Sequence, residues 1–287
     1  MNKLIRRAVL GMCLVFASHI GAVQAEELKF DKKGPAEVKL GSDVATLKLP
    51  GGFGFVDQAR TKVMIEKGGG TARGVLGYVS GTAKGQDYGI VLSFEDTGYV
   101  EDTDADKLNA DDLLKSMKEG TEAQNEERKK RGLSALHVVG WDEPPHYDKA
   151  KHIVIWSIKG QREGQKDELV NYNTRVLGRK GVMEVNLICD QKDLQKYKPE
   201  VAKILASLTY NTGQKYEEHQ AGDKVSPGGI AALVVGGVIL KKAGVLAFLL
   251  GLFKPLLLLG KKAIVLVIAG IVGLFRLITG RKSSPEG

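Results

Sequence analysis

Cysteine is scarce in this chain, which has two in 287 residues, Cys13 and Cys189. Cys13 lies in a segment expected to be removed, so one thiol remains, and an internal disulfide and a cysteine-rich zinc site are both excluded. That thiol, at the end of an apolar run, is expected to be buried and inert rather than nucleophilic. Histidine is sparse as well: His137, His146 and His152 show no ligand spacing with one another or with a cysteine. No serine stands in a Gly-x-Ser-x-Gly elbow. Gly68-Gly69-Gly70 follows a helical stretch, Asp57 to Lys67, whereas a phosphate cradle needs a strand before it and a helix after it. Asp102, Asp104 and Asp106 hold the first, third and fifth places of an EF-hand loop, but Lys107 replaces its glycine and Leu113 its bidentate glutamate. No catalytic, metal or cofactor-binding residue is therefore assigned, and no cofactor is expected.

What is present at the two ends points to a membrane. Lys3, Arg6 and Arg7 precede the apolar run Ala8 to Ala17, and Val23-Gln24-Ala25 supplies small residues for cleavage before Glu26, so 1–25 is expected to be a signal peptide. Leu10-Gly11-Met12 rules out lipid modification at Cys13, because a large side chain stands where a small one is needed. From Gly228 to Gly287 long apolar runs alternate with Lys241-Lys242, Lys254 and Lys261-Lys262. A spanning helix needs roughly 17 to 25 mostly apolar residues, which Ala263 to Thr279 supplies once Arg276 reaches the headgroups. Residues 228–287 are expected to be a C-terminal anchor in membrane lipid, with 263–279 crossing once, the lysine-broken stretch before it interfacial and the chain end in the cytoplasm; three short crossings or an even hairpin are the alternatives.

The net charge of +8 divides unevenly. The first 25 residues hold three basic side chains and no acid, and the last 60 hold eight basic side chains against Glu286, so residues 26–227 carry −2. The basicity belongs to targeting and anchoring, and nucleic-acid binding is rejected.

Between the ends, residues 26–210 are expected to fold as one periplasmic α+β domain, an antiparallel sheet with helices packed on it, and 211–227 to be the linker to the membrane. Glu37 to Leu49 alternates like a hairpin around Gly41-Ser42-Asp43. Strands are expected at Gly74 to Ser80 and Tyr88 to Phe94, and a charged helix at Ala110 to Arg131 with Asp102 and Asp104 capping and starting it. Leu136 to Val139 is read as a short strand and 140–148 as a loop rich in aromatics and prolines. An antiparallel meander follows at His152 to Lys159, Glu168 to Leu177 and Val182 to Cys189. The last helix is expected to start near Pro199 and bury Val201, Ile204, Leu205 and Leu208.

Gly98-Tyr99-Val100, Asp102-Thr103-Asp104-Ala105, Asn125, Arg128, Gly132, Gly140-Trp141, Pro145, Tyr147-Asp148, Asn171-Tyr172, Arg175 and Leu177-Gly178-Arg179 together resemble a family of bacterial membrane-anchored proteins known only as a domain of unknown function. The resemblance implies a periplasmic domain tethered by a hydrophobic C-terminus, and no reaction. The strand pattern ending in Ile204 to Leu208 is similar to small α+β domains of the PsbP and Mog type.

The candidate interaction surface is Tyr99, Asp102, Asp104, Trp141, Tyr147, Tyr172, Arg175 and Arg179, since aromatics and arginines are what interfaces use. The opposing reading has the aromatics completing the core and the arginines paired with Asp102 or Asp104. A non-enzymatic binding or scaffolding module of the inner membrane, meeting an envelope protein or cell-wall ligand, is favoured. The alternative is a membrane-tethered periplasmic hydrolase with an acid pair among Glu95, Asp102 and Asp104 beside Arg175.

Overall fold

Period-two alternation places most of the strands and apolar stripes place the helices. The computed structural model describes residues 28–236 apart from 69 and 167. All fall in the first of the two units into which the chain divides, Met1–Val238 and Ile239–Gly287. The expected signal peptide and the expected crossing at 263–279 lie outside the described residues. Among the described residues no helix is long and apolar enough to cross a membrane.

The elements in order are β1 (Lys32–Lys33), β2 (Ala36–Leu40), β3 (Ala45–Leu49), β4 (Phe53–Val56), α1 (Gln58–Lys67), β5 (Val75–Gly81), β6 (Gly89–Glu95), α2 (Ala110–Lys130), β7 (Leu136–Asp148), β8 (Ile153–Arg162), β9 (Glu168–Leu177), β10 (Val182–Asp190), α3 (Leu194–Ser207), β11 (Leu208–Tyr210) and α4 (Ile230–Val234). Eight strands form one sheet in the order β1-β4-β5-β6-β10-β9-β8-β7, and a second sheet has the order β11-β3-β2. Every strand pairing is antiparallel. The fold is the expected α+β class.

The main core lies on one face of the large sheet. Ile90, Leu92, Met183, Val185, Leu187 and Cys189 point into it and meet Val38, Leu40, Leu47 and Leu49 of the small sheet, with Leu194, Val201 and Ile204 of α3. Because successive strand residues face opposite ways, Val91 and Ile188 belong to the other face. There they join Val56, Val75 and Tyr78 with Ile65 of α1. Asp57 caps α1 by accepting from the Arg60 N–H at 2.9 Å. α2 packs on β7, burying Leu113, Met117, Thr121 and Asn125. The Asn125 amide pairs with both backbone groups of Leu136, at 2.8 Å each, and so serves as a strand partner where β7 begins.

Three local readings are corrected. Residues 140–148 are not a loop but the continuation of β7, which keeps its pairing with β8 through three register shifts. Prolines 144 and 145 are tolerated because β7 is an edge strand, where a missing N–H and a bulge cost no ladder bond. α3 starts at Leu194 rather than near Pro199, and Pro199 sits inside it. Leu194, Tyr197, Val201 and Ile204 form one buried stripe, whose burial outweighs an interior proline. α2 is capped by Asn109, which accepts from the N–H groups of Asp111 and Asp112, and not by Asp102 or Asp104.

Candidate functional site

Past the end of β6 the backbone turns at Gly98, whose φ of +88° and closeness to the Lys224 carbonyl leave no room for a Cβ. That turn presents Tyr99 edge-on to a segment far away in sequence. The Tyr99 N–H donates to the Lys224 carbonyl at 2.8 Å, and the Tyr99 carbonyl accepts from the Ser226 N–H at 2.7 Å, a single parallel bridge opposite Val225. The Tyr99 ring stacks on Tyr216 (4.6 Å between centroids, 22°) and on His219 (3.9 Å, 14°). Tyr216 is buried, donates its hydroxyl to the Val100 carbonyl at 3.0 Å and packs on the His152 ring at 4.2 Å. Burial, reinforced by Tyr99, raises the Tyr216 phenol well above its ordinary value.

Asp102, Tyr147 and His152 form a chain. The Tyr147 hydroxyl lies 3.0 Å from Asp102 Oδ2 and 3.0 Å from His152 Nδ1. A phenol has one proton; given to Asp102, it leaves the oxygen to accept from a protonated Nδ1, so the network assigns the His152 tautomer. Nε2 of the same ring faces Glu217 at 3.5 Å. Burial first, then the bond to Asp102, raises the Tyr147 phenol. His152 adopts φ +53°, a left-handed conformation uncommon for a side-chain-bearing residue, while its carbonyl accepts from the Leu177 N–H at 2.9 Å.

Asp104 reaches further along the chain. Its two carboxylate oxygens accept from the N–H groups of Ile230 (2.8 Å) and Ala231 (3.0 Å), which are the first two of α4. These donors have no partner inside a helix, so a carboxylate from elsewhere completes the turn. Arg179 holds Asp223 bidentately, Nε to Oδ2 at 2.7 Å and Nη2 to Oδ1 at 3.0 Å, and also donates to Gln220. That guanidinium, with the Gln220 N–H, holds the Asp223 carboxyl well below the usual carboxylate range.

Five of the eight candidate residues, Tyr99, Asp102, Asp104, Tyr147 and Arg179, thus share one clasp, and most of what they grip is the stretch expected as a linker. Residues 214–231 run over the domain, and the apolar run from 228 begins as buried chain: Ile230, Ala232, Leu233, Val234 and Val235 are all buried. The other three candidates stand apart from the clasp. Trp141 donates its indole N–H to the Ala110 carbonyl at 3.0 Å and ties β7 to α2. Tyr172 faces the main core with Lys198 Nζ 5.0 Å over its ring, and its phenol is pushed up to about 12, first by burial and then by Glu143.

Arg175 heads a second polar cluster and pairs with neither Asp102 nor Asp104. It bonds Glu184 at 2.9 Å and Asn186 Oδ1 at 2.7 Å, and its guanidinium lies 4.9 Å over the Trp156 ring. The pairing register puts Ser93, Glu184, Arg175, Asn186, Asn173 and Trp156 on the same face of the large sheet, opposite the main core. Glu95 belongs here: burial, then the charge of Glu184, raises its carboxyl, against the pull of Arg175 and Arg73. Among the described residues the Trp156 indole N–H and Asn171 Oδ1 have no hydrogen-bond partner. Cys189, on the other face, is buried, and burial pushes its thiol up to about 12. Among the described residues no group of His, Cys, Asp or Glu is arranged to hold a metal ion.

The sequence reading missed Tyr216, His219 and Asp223 in the clasp, and Trp156, Glu184 and Asn186 in the second cluster. A period-two polar pattern, Asn171-x-Asn173-x-Arg175 opposite Glu184-x-Asn186, was available to find the latter. Nothing periodic marks the former.

A family model described as a protein of unknown function (DUF2167) matches residues 32–272. Among curated proteins none matches. Three solved structures are similar to the chain. The solution structure of cyanobacterial PsbP (CyanoP) from Synechocystis is 11% identical over 61% of this chain and 91% of that one, with a TM-score of 0.37. A crystal structure of a protein of unknown function from Pseudomonas aeruginosa is 15% identical over 61% and 95%, with a TM-score of 0.27. The Saccharomyces cerevisiae Ran-binding protein Mog1p is 9% identical over 61% and 94%, with a TM-score of 0.30. At such identities and scores the likeness carries nothing about ligand or partner.

Proposed function

The chain belongs to the DUF2167 family of proteins of unknown function, and from that premise we propose that its α+β domain is a non-enzymatic binding or scaffolding module of a bacterial envelope. On this reading 1–25 exports it, the domain faces the periplasm, and the C-terminal apolar segment anchors it in the inner membrane. The clasp is the observation that carries the reading. Residues that mark the family resemblance spend their polar groups on one another and on the chain leading to the apolar segment, which positions a domain and leaves Asp102 and Asp104 engaged in holding it. The buried side chains from Ile230 to Val235 argue for starting the anchor after Gly236 rather than at Gly228.

Fractionation of intact cells tests it. The mature chain begins at Glu26, stays with the inner membrane through a high-salt wash, because apolar insertion is not screened by salt, and yields a specific adduct after crosslinking in the cell. An N-terminal mass that includes Met1, or release by the wash, overturns the export-and-anchor reading.

A tethered hydrolase is the second reading, and one observation favours it: Glu95 has a raised carboxyl beside Arg175, with Glu184 as its acidic neighbour. Asp102 and Asp104 are engaged elsewhere. Turnover of a panel of ester, amide and glycoside chromogens that is lost in Glu184→Gln supports this reading. No turnover by the wild type overturns it.

A further inference from the structure

We infer that residues 214–231 are a releasable strap, and that the surface it fills, made by Tyr99, Arg179 and Asp104, is a groove for an extended peptide segment of a partner carrying an acidic side chain. This rests on the binding-module reading and names the chemistry of its partner.

The surface has the parts of a peptide site. The Tyr99 backbone offers one donor and one acceptor to an extended strand, and the strap takes both through Lys224 and Ser226. Strand addition of this kind supplies affinity from main-chain bonds and specificity from side-chain positions. Arg179 presents its planar fork to a carboxylate, now Asp223, at 2.7 and 3.0 Å. The Tyr99 ring presents a face to a flat side chain, now Tyr216 and His219. Asp104 accepts the two N–H groups that open α4.

The strap is held mainly by polar contacts. From 217 to 229 no side chain is buried, and Val225 is 45% exposed. Tyr216 is the one buried residue between 211 and 229. The strap also buries Ile230 near its end and stacks the His219 ring on Tyr99; its other contacts are hydrogen bonds and ion pairs, which exchange against water at small net gain. Segments with few buried apolar groups open locally, well below the free energy of global unfolding. The same groove is thus closed by an internal ligand and becomes available when that ligand leaves, a competition that lowers a partner's apparent affinity by the closed fraction.

Hydrogen exchange on the full chain in detergent provides the test, with a synthetic peptide of residues 214–231 as the probe. The Tyr99, Ser226, Ile230 and Ala231 amides exchange about 100-fold faster than those of Val185 and Leu187, the difference expected between local and global opening. In Asp223→Asn the strap amides speed up a further tenfold or so while β10 is unchanged, since a bidentate charge-assisted pair is weakened. The probe binds that variant at least about tenfold more tightly than the wild type, whose groove is filled. A probe carrying Asp223→Asn binds the variant more weakly than the unaltered probe. Strap amides as slow as those of β10 overturn the release. Fast strap amides without probe binding overturn the groove. Neither result touches the export-and-anchor reading, which the fractionation decides.

Discussion

β9 and β10 are buried on both faces, yet the two faces differ in kind. Towards the main core they present Val170, Tyr172, Val176, Met183, Val185, Leu187 and Cys189. Towards the other face they present Asn171, Asn173, Arg175, Glu184 and Asn186, of which all but Glu184 are only 1 to 8% exposed. Removing water from an apolar face is favourable at about 25 cal/mol per Å², whereas each buried polar group must find a partner or cost stability. The second face finds most of its partners in the Arg175–Glu184–Asn186 cluster and, among the described residues, leaves two atoms unpaired, Trp156 Nε1 and Asn171 Oδ1. One face thus holds the fold together by area, while the other depends on an intact set of pairs.

Breaking each face in turn separates these two modes. Leu187, fully buried, leaves a cavity when replaced by alanine, and Leu187→Ala is expected to cost about 2–5 kcal/mol in denaturant unfolding, with the slope unchanged. Arg175→Met strands Glu184 beside Glu95 and costs about 2–3 kcal/mol, less than a fully buried broken pair because both partners keep some solvent. The double variant Arg175→Met with Glu184→Met recovers to within about 1 kcal/mol of the wild type, because no charge is then left without a partner. If the double variant is as unstable as the single one, the second face is held by area as well, and the contrast fails. The clasp is weaker than either face. Asp104→Ala removes a carboxylate from the first turn of α4 and costs about 1 kcal/mol, in the range of a lost N-cap, with faster exchange confined to the Ile230 and Ala231 amides.

The legible parts of this fold are those whose signal is local. The hairpin at 37–49, α1, α2 and the meander follow from alternation, stripes and glycine stops, and their observed bounds lie close to those expected. From Gly140 onward β7 has no local signature, because prolines and bulges erase the period-two pattern and only its pairing with β8 makes it a strand. α3 begins before Pro199 because the buried stripe from Leu194 to Ile204 outweighs the local signal of the proline. For the site, the sequence named Tyr99, Asp102, Asp104, Tyr147 and Arg179 but not what they hold. Their partners are remote, as with Asp104 and Ile230, 126 residues apart, and no periodicity in a polar stretch points across such a distance. The second cluster is harder to read for the opposite reason: its polar residues alternate with apolar ones as they do on a solvent-facing strand surface, and only the register shows that this face is covered.

The smallest expected effect concerns Glu95, and its sign separates the buried polar face from the clasp. Burial and the neighbouring Glu184 raise its folded carboxyl above the ordinary 4.5, so between that value and the raised one the native state holds more protons than the unfolded state. Stability therefore declines as pH rises through this window and stays reduced above it. Glu95→Gln cannot ionise: it is expected to flatten the decline and to melt slightly above the wild type at pH 7, the two curves converging towards pH 4. Asp223 has the opposite sign. Arg179 lowers its carboxyl below 3.8, so its contribution is present above that value and is lost on acidification, and Asp223→Asn is expected to melt below the wild type at pH 7 with the gap closing in acid. Thermal melts of the three proteins from about pH 4 to 8 check Glu95, and extending them below pH 3.8, into strong acid, checks Asp223. Parallel curves for Glu95→Gln and the wild type would show that Arg175 and Arg73 already hold Glu95 as an ordinary carboxylate, and the second face would then be a balanced ion network.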